Sequence, residues 1–184
     1  MRKAIVVSLN FHPGHVSHMV ASYKQLEELG FESEYCVSEG FLPYLPDNSR
    51  VRIYGKDKLQ KVDVAIFVFP SQKNLLLIRQ LKKQGTKIIY IFHEPLAPMK
   101  EYRKAGFSYT YLAKLWVINR ISVLTVKWSD VILLPSMKAV KLYEQNKLYR
   151  NENYHYLPLL FDDENTSEYT RIERKYFSYI GIPI

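Results

Sequence analysis

Histidine stands at positions 12, 15 and 18 of this sequence, and a further one, His93, is followed directly by Glu94. An imidazole that titrates near pH 6.5 serves as a hydrogen-bond donor, an acceptor or a general acid or base at physiological pH, and Glu94 is its nearest partner or a base in its own right. The three-residue spacing of His12, His15 and His18 invites a metal site. No nearby Asp, Glu or Cys completes a ligand set, so no metal is expected. Gly14 sits among these histidines, where the lack of a Cβ lets backbone N–H groups and the positive end of a helix approach a phosphate. It could equally do no more than turn the chain. His15 is the neighbouring donor for the same phosphate. Ser136 reads as a helix cap, since no base is identified beside it to make it a nucleophile.

These residues fall at the ends of apolar runs. Residues 4–9 are apolar apart from Ser8 and rich in β-branched side chains, and they predict a buried, central strand opening into the turn at Pro13 and Gly14. The apolar positions from Val16 to Leu29 then recur on one helical face, with Gly30 as terminator. Strands are predicted at 34–37, 51–54, 62–69, 87–92, 131–134 and 154–157, and helices at 72–84, 109–128 and 137–147, with 96–107 irregular or partly helical. The 109–128 helix is apolar on most faces, so it must be buried or partly membrane-facing. Alternation of strand and helix predicts an α/β fold, a Rossmann-like doubly wound parallel sheet whose functional loops lie at the C-terminal ends of the strands. His93, Glu94, Gly14 and Ser136 all lie at or just beyond such ends.

At 184 residues the chain suits one domain that buries about 70% of its unfolded surface. A formal charge of +8 favours polyanionic partners without choosing among them. No helix-turn-helix, RNP-like or zinc pattern accompanies it, so nucleic acid is not expected. The lone Cys36 excludes an internal disulfide, fits a reducing cytoplasm and is expected to pack as a small buried residue. The basic start lacks a small-residue cleavage site, and no run is long and apolar enough to span a bilayer, so a cytoplasmic protein is expected. Around 72–84, Leu77, Ile78 and Leu81 form a core face, while Arg79, Lys82 and Lys83, flanked by Leu75 and Leu76, form a basic-apolar face. That face suits the anionic inner face of the plasma membrane, or simply solvent. Lys100, Arg103 and Lys104, with aromatic neighbours, make a second basic cluster.

Several motifs taken in order resemble one family: Pro13-Gly14 after the first strand, His93-Glu94-Pro95 after the fifth, Ser129-Asp130 before the sixth with Ser136 after it, residues 157–162, and Phe177 to Gly181. The chain resembles the N-terminal half of the retaining GT-B glycosyltransferases of the bacterial group 1 and 4 type. The resemblance implies a Rossmann-like acceptor-side domain over 1–161, a linker over 162–175, and at 176–184 the first strand of a missing C-terminal domain that binds most of the donor. It implies transfer of a sugar from a nucleotide-diphosphate donor to a saccharide or lipid-linked acceptor in cell-surface polysaccharide synthesis, with no cofactor beyond the nucleotide sugar. His93 and Glu94 then become the catalytic candidates, with His93 orienting the donor sugar and stabilising charge. Gly14 and His15 are candidates for the donor phosphate, and His18, Lys100, Arg103 and Lys104 for the acceptor. Many members carry two adjacent glycines in the first loop, where this chain has Gly14 followed by His15. The family's C-terminal donor-binding signatures do not occur in these residues, so the isolated chain is expected to be inactive. The alternative is a non-catalytic subunit or peripheral membrane module that pairs with a separate donor-binding chain.

Overall fold

A computed structural model describes residues 2–46, 48–69 and 71–158. The expected linker at 162–175 and the strand at 176–184 lie outside the described residues, as do residues 159–162 of the family motif.

The strands are β1 (Arg2–Ser8), β2 (Phe31–Val37), β3 (Val51–Ile53), β4 (Val64–Phe67), β5 (Lys87–Ile91), β6 (Val131–Leu134) and β7 (Tyr154–Tyr156). The helices are α1 (Val16–Glu28), α2 (Gln72–Lys83), α3 (Met99–Lys104), α4 (Tyr109–Trp128) and α5 (Met137–Gln145). All strand pairs are parallel, in a seven-stranded sheet of order β3-β2-β1-β4-β5-β6-β7. The chain runs outward from β1 to β3, then returns to β4 and runs outward the other way, so the winding reverses between β1 and β4. This is the doubly wound fold the alternation predicts, with β1 interior, between β2 and β4. Two refinements come from tertiary context: β2 begins at Phe31, three residues earlier than its composition suggests, and the segment after it, which carries Gly40, Pro43 and Pro46, contains short 3-10 turns at Glu39–Tyr44 and Asn48–Arg50.

Alternate side chains of each strand enter two cores. On one face Ile5, Val7, Ala65, Phe67, Ile88 and Tyr90 pack with Leu77, Ile78 and Leu81 of α2, Val126 of α4 and Tyr143 of α5. On the other, Ala4, Val6, Tyr35, Ile66 and Val68 pack with Met19, Val20 and Leu26 of α1 and with Phe41. Cys36 belongs to the first core and is fully buried. Burial pushes its thiol up to about 12.

Local chemistry sets the element ends. Ser71 accepts the N–H of Lys73 at the start of α2, Ser108 that of Tyr111 at the start of α4, and Ser136 that of Ala139 at the start of α5. Two aspartates extend the sheet by one rung each. Asp63 accepts the Lys3 N–H at 2.8 Å while its own N–H donates to the Lys3 carbonyl at 2.8 Å. Asp130 repeats the device ahead of β6: its carboxylate accepts the Ile88 N–H at 2.8 Å, its N–H donates to the Ile88 carbonyl at 2.8 Å, and Lys82 of α2 reaches its other oxygen at 3.0 Å. These donors hold its carboxyl below the ordinary carboxylate value, against the opposing effect of burial, which is the largest single influence.

Candidate functional site

The residues that could do chemistry gather where β1, β4 and β5 end. Pro13–His15 forms a single 3-10 turn, and the exposed His12 caps it, its Nδ1 accepting the Gly14 N–H at 3.2 Å. The Gly14 amide is therefore engaged by its own chain, and a phosphate would have to displace the His12 ring to reach it. Glycine is not required there by backbone angle, since positive φ occurs only at Gly30, Gly55, Gly85 and Gly106 among the described residues. A Cβ on Gly14 would meet His12 Nδ1 at 3.2 Å.

His15 and His93 lie on opposite sides of Phe69. The His15 ring stacks on Phe69 with centroids 3.2 Å apart and planes 11° apart, and His93 stacks on it at 4.2 Å and 12°. The His18 ring lies 5.5 Å from His93 and 6.3 Å from Phe69. Because β1, β4 and β5 are adjacent in the sheet, residues far apart in sequence meet in one imidazole-phenyl stack. Desolvation and, secondarily, the neighbouring imidazoles lower His15 and His93 to about 4 each. Both rings are neutral at pH 7.

Neutrality determines what each ring offers. The Asn10 backbone beside His15 and the Val68 backbone beside His93 oppose this lowering only in part. Two ring nitrogens, Nδ1 of His15 and Nε2 of His93, are buried and have no hydrogen-bond partner among the described residues. Each of these buried nitrogens presents a lone pair or an N–H to a ligand, according to which ring nitrogen holds the proton. A ligand hydroxyl, which both donates and accepts, suits either arrangement. Beside His93, a cavity of about 10 Å³ lined by His18, Ser22, Ile91, Pro135 and Leu157 has room for about one water.

A larger opening lies at the winding reversal. A cleft of about 410 Å³ is lined by Asn10 after β1, by Ser71, Gln72 and Lys73 at the start of α2, and by Ile118 and Ile121 of α4. Ser71 Oγ donates to Asn10 Oδ1 at 3.3 Å, bridging the two diverging strands. Clefts at this position of doubly wound sheets are where ligands enter. Asn10, Phe69, Ser71 and Lys73 are absent from the sequence-derived candidates. Their signal is position alone, immediately after strands whose adjacency the sequence does not reveal.

The other candidates disperse. Glu94 is exposed just past β5, and the segment after it is anchored where Leu96 donates to Tyr149 Oη at 3.2 Å and accepts from Asn146 at 2.9 Å. Lys100, Arg103 and Lys104 are exposed on the six-residue α3. On α2, Leu75 is half-buried, Leu76, Arg79 and Lys83 are exposed, and Lys82 pairs with Asp130 at 3.0 Å. The described residues contain no group of three or more His, Cys, Asp or Glu suited to a metal ion. No described helix is long and apolar enough to cross a membrane. Compared with known proteins, the chain matches no family model and no curated sequence.

Proposed function

We propose that this chain is the acceptor-side domain of a GT-B glycosyltransferase, which transfers a sugar from a nucleotide-diphosphate donor to a saccharide or lipid-linked acceptor in cell-surface polysaccharide synthesis. The observation that carries the reading is the pair of buried, unpartnered ring nitrogens on His15 and His93, set where β1, β4 and β5 end. A sugar is dense in hydroxyls, and a buried polar atom that lacks a partner is stabilised when one arrives. His93 thus orients a sugar hydroxyl as a neutral imidazole. With its conjugate acid near pH 4, it contributes no positive charge to an oxocarbenium-like transition state at neutral pH. Glu94 remains the candidate base on the same strand end. Gly14 contributes turn geometry more than an open phosphate cradle, so the donor diphosphate falls to the second domain of the whole enzyme. A lipid-linked acceptor places the domain at the cytoplasmic face of a membrane.

The test is a titration of the 184-residue chain, labelled with nitrogen-15 on histidine, with nucleotide-diphosphate sugars, short saccharides and inorganic pyrophosphate. Sugar-bearing ligands should shift the His93 and His15 ring signals, and His93→Ala should weaken that binding by tenfold or more, in line with about 1.5–3 kcal/mol for a buried polar group deprived of its partner. Perturbation by pyrophosphate alone, or by no ligand, defeats the reading.

A further inference from the structure

Helix α4 carries polar side chains among its core-facing positions and large apolar ones among its exposed positions, a mixture that a simply water-facing helix does not show. Its buried positions include Asn119, Ser122 and Thr125 beside Leu115 and Val126. Two of these polar groups are absorbed internally: Asn119 Oδ1 accepts from Tyr149 Oη at 3.0 Å, and Thr125 Oγ1 donates to the Ile121 carbonyl at 2.9 Å. The opposite face, following three- and four-residue steps, exposes Tyr109, Trp116, Val117 and Leu124, with Tyr109 82% and Trp116 52% exposed. Interleaved with them are the exposed cations Lys114, Arg120 and Lys127, and Arg120 lies over the Trp116 ring at 5.2 Å. The helix contains no acidic residue, and neither does α2, which packs beside it and adds Leu76, 70% exposed, with Arg79 and Lys83. The third neighbour, α3, adds Lys100, Arg103 and Lys104.

From this we infer that the outer face of α4, flanked by α2, docks on the headgroup layer of an anionic lipid bilayer. Charge complementarity selects the occupant. A protein partner with an acidic apolar groove would satisfy the charges too. A 20-residue helix about 30 Å long, with Trp and Tyr spread along it between cations, instead fits an extended negative plane into which aromatic rings sink by about 5–10 Å. Leu76 and the α2 cations form the margin of this surface, and α4 forms its centre. The inference deepens the lipid-linked-acceptor part of the proposed function. It is read without any sugar ligand, so a failure of one leaves the other standing.

The experiment is flotation of the full chain with phosphatidylcholine vesicles, with and without phosphatidylglycerol. A Trp128→Phe background leaves Trp116 as the fluorescent reporter. Binding is expected only with the anionic lipid, with a blue shift of Trp116 and quenching by brominated acyl chains. Lys114→Glu with Arg120→Glu should lower binding by more than tenfold, at about fivefold per cation neutralised. Trp116→Ser with Leu124→Ser should abolish the quenching. These exposed substitutions should leave the melting temperature unchanged, and Leu76→Ser on α2 should have the smaller effect. Equal binding to neutral vesicles, or binding indifferent to the α4 variants, overturns the inference. So does a Trp116 already shielded from aqueous quenchers without lipid, which would mean a protein surface covers it, whether a second copy or residues 159–184.

Discussion

A single fact about His15 and His93, that both are held as neutral bases with values near 4, links the site's chemistry to the protein's stability. Each gains a proton on unfolding at any pH between about 4 and its unfolded value near 6.5. Stability is therefore fully present above about pH 6.5 and is lost as pH falls toward 4, because the unfolded state binds more protons across that window. Thermal melts from pH 8 to pH 4 should show a decline that the His15→Gln, His93→Gln double variant largely lacks. A double variant with the same slope as the parent would mean the rings are not buried as described. The loss from Asp130 has the same direction but falls at lower pH, through the carboxylate range, so the two contributions separate. The sequence made His93 visible, because it follows an apolar run directly. It could not show that Phe69 would stand between His93 and His15, or that burial would remove their charge, since both depend on β1, β4 and β5 being neighbours.

Among the elements, the strands and helices were legible almost throughout because their signals are local. Apolar β-branched runs ended by Pro, Gly or Ser mark β1, β4, β5 and β6, and Ser71, Ser108 and Ser136 sit where each following helix begins. The polarity of α4 was legible only in part. Apolar residues on most of its faces announce burial or a membrane, and only the packed structure separates the inward Asn119 from the outward Trp116. Ser129-Asp130, read as a family motif, proves to have a mechanical role. Asp130 joins the end of α2, the start of β5 and the start of β6 through its side chain. Asp130→Ala should strand the Ile88 N–H and release Lys82, lowering stability by about 1–3 kcal/mol. Urea denaturation gives that number, and Asp130→Asn, which keeps an acceptor, should recover part of it. A loss below about 0.5 kcal/mol for the alanine variant would show that the sheet edge does not depend on this rung.

For the molecule as a whole, two cores on either side of a seven-stranded parallel sheet were predictable in kind from alternation alone. The order of the strands was not, and with it went the position of the winding-reversal cleft and its Asn10, Ser71 and Lys73 lining. Sequence periodicity reports which face a residue takes, while strand order comes from long-range pairing. The fully buried Cys36, the chain's sole thiol, turns this architecture into an instrument. It sits on β2, between β1 and the edge strand β3, and its raised pKa keeps it protonated, so an alkylating reagent finds it only when the sheet parts. Its labelling rate at neutral pH should lag that of the denatured chain by the factor of the opening equilibrium, and should track global stability measured in urea. Rapid labelling of the native protein would instead reveal that the β3-β2 side opens on its own. Until then the chain carries a built-in clock for its own breathing, and any cysteine introduced on its surface would be the only other site such a reagent could mark.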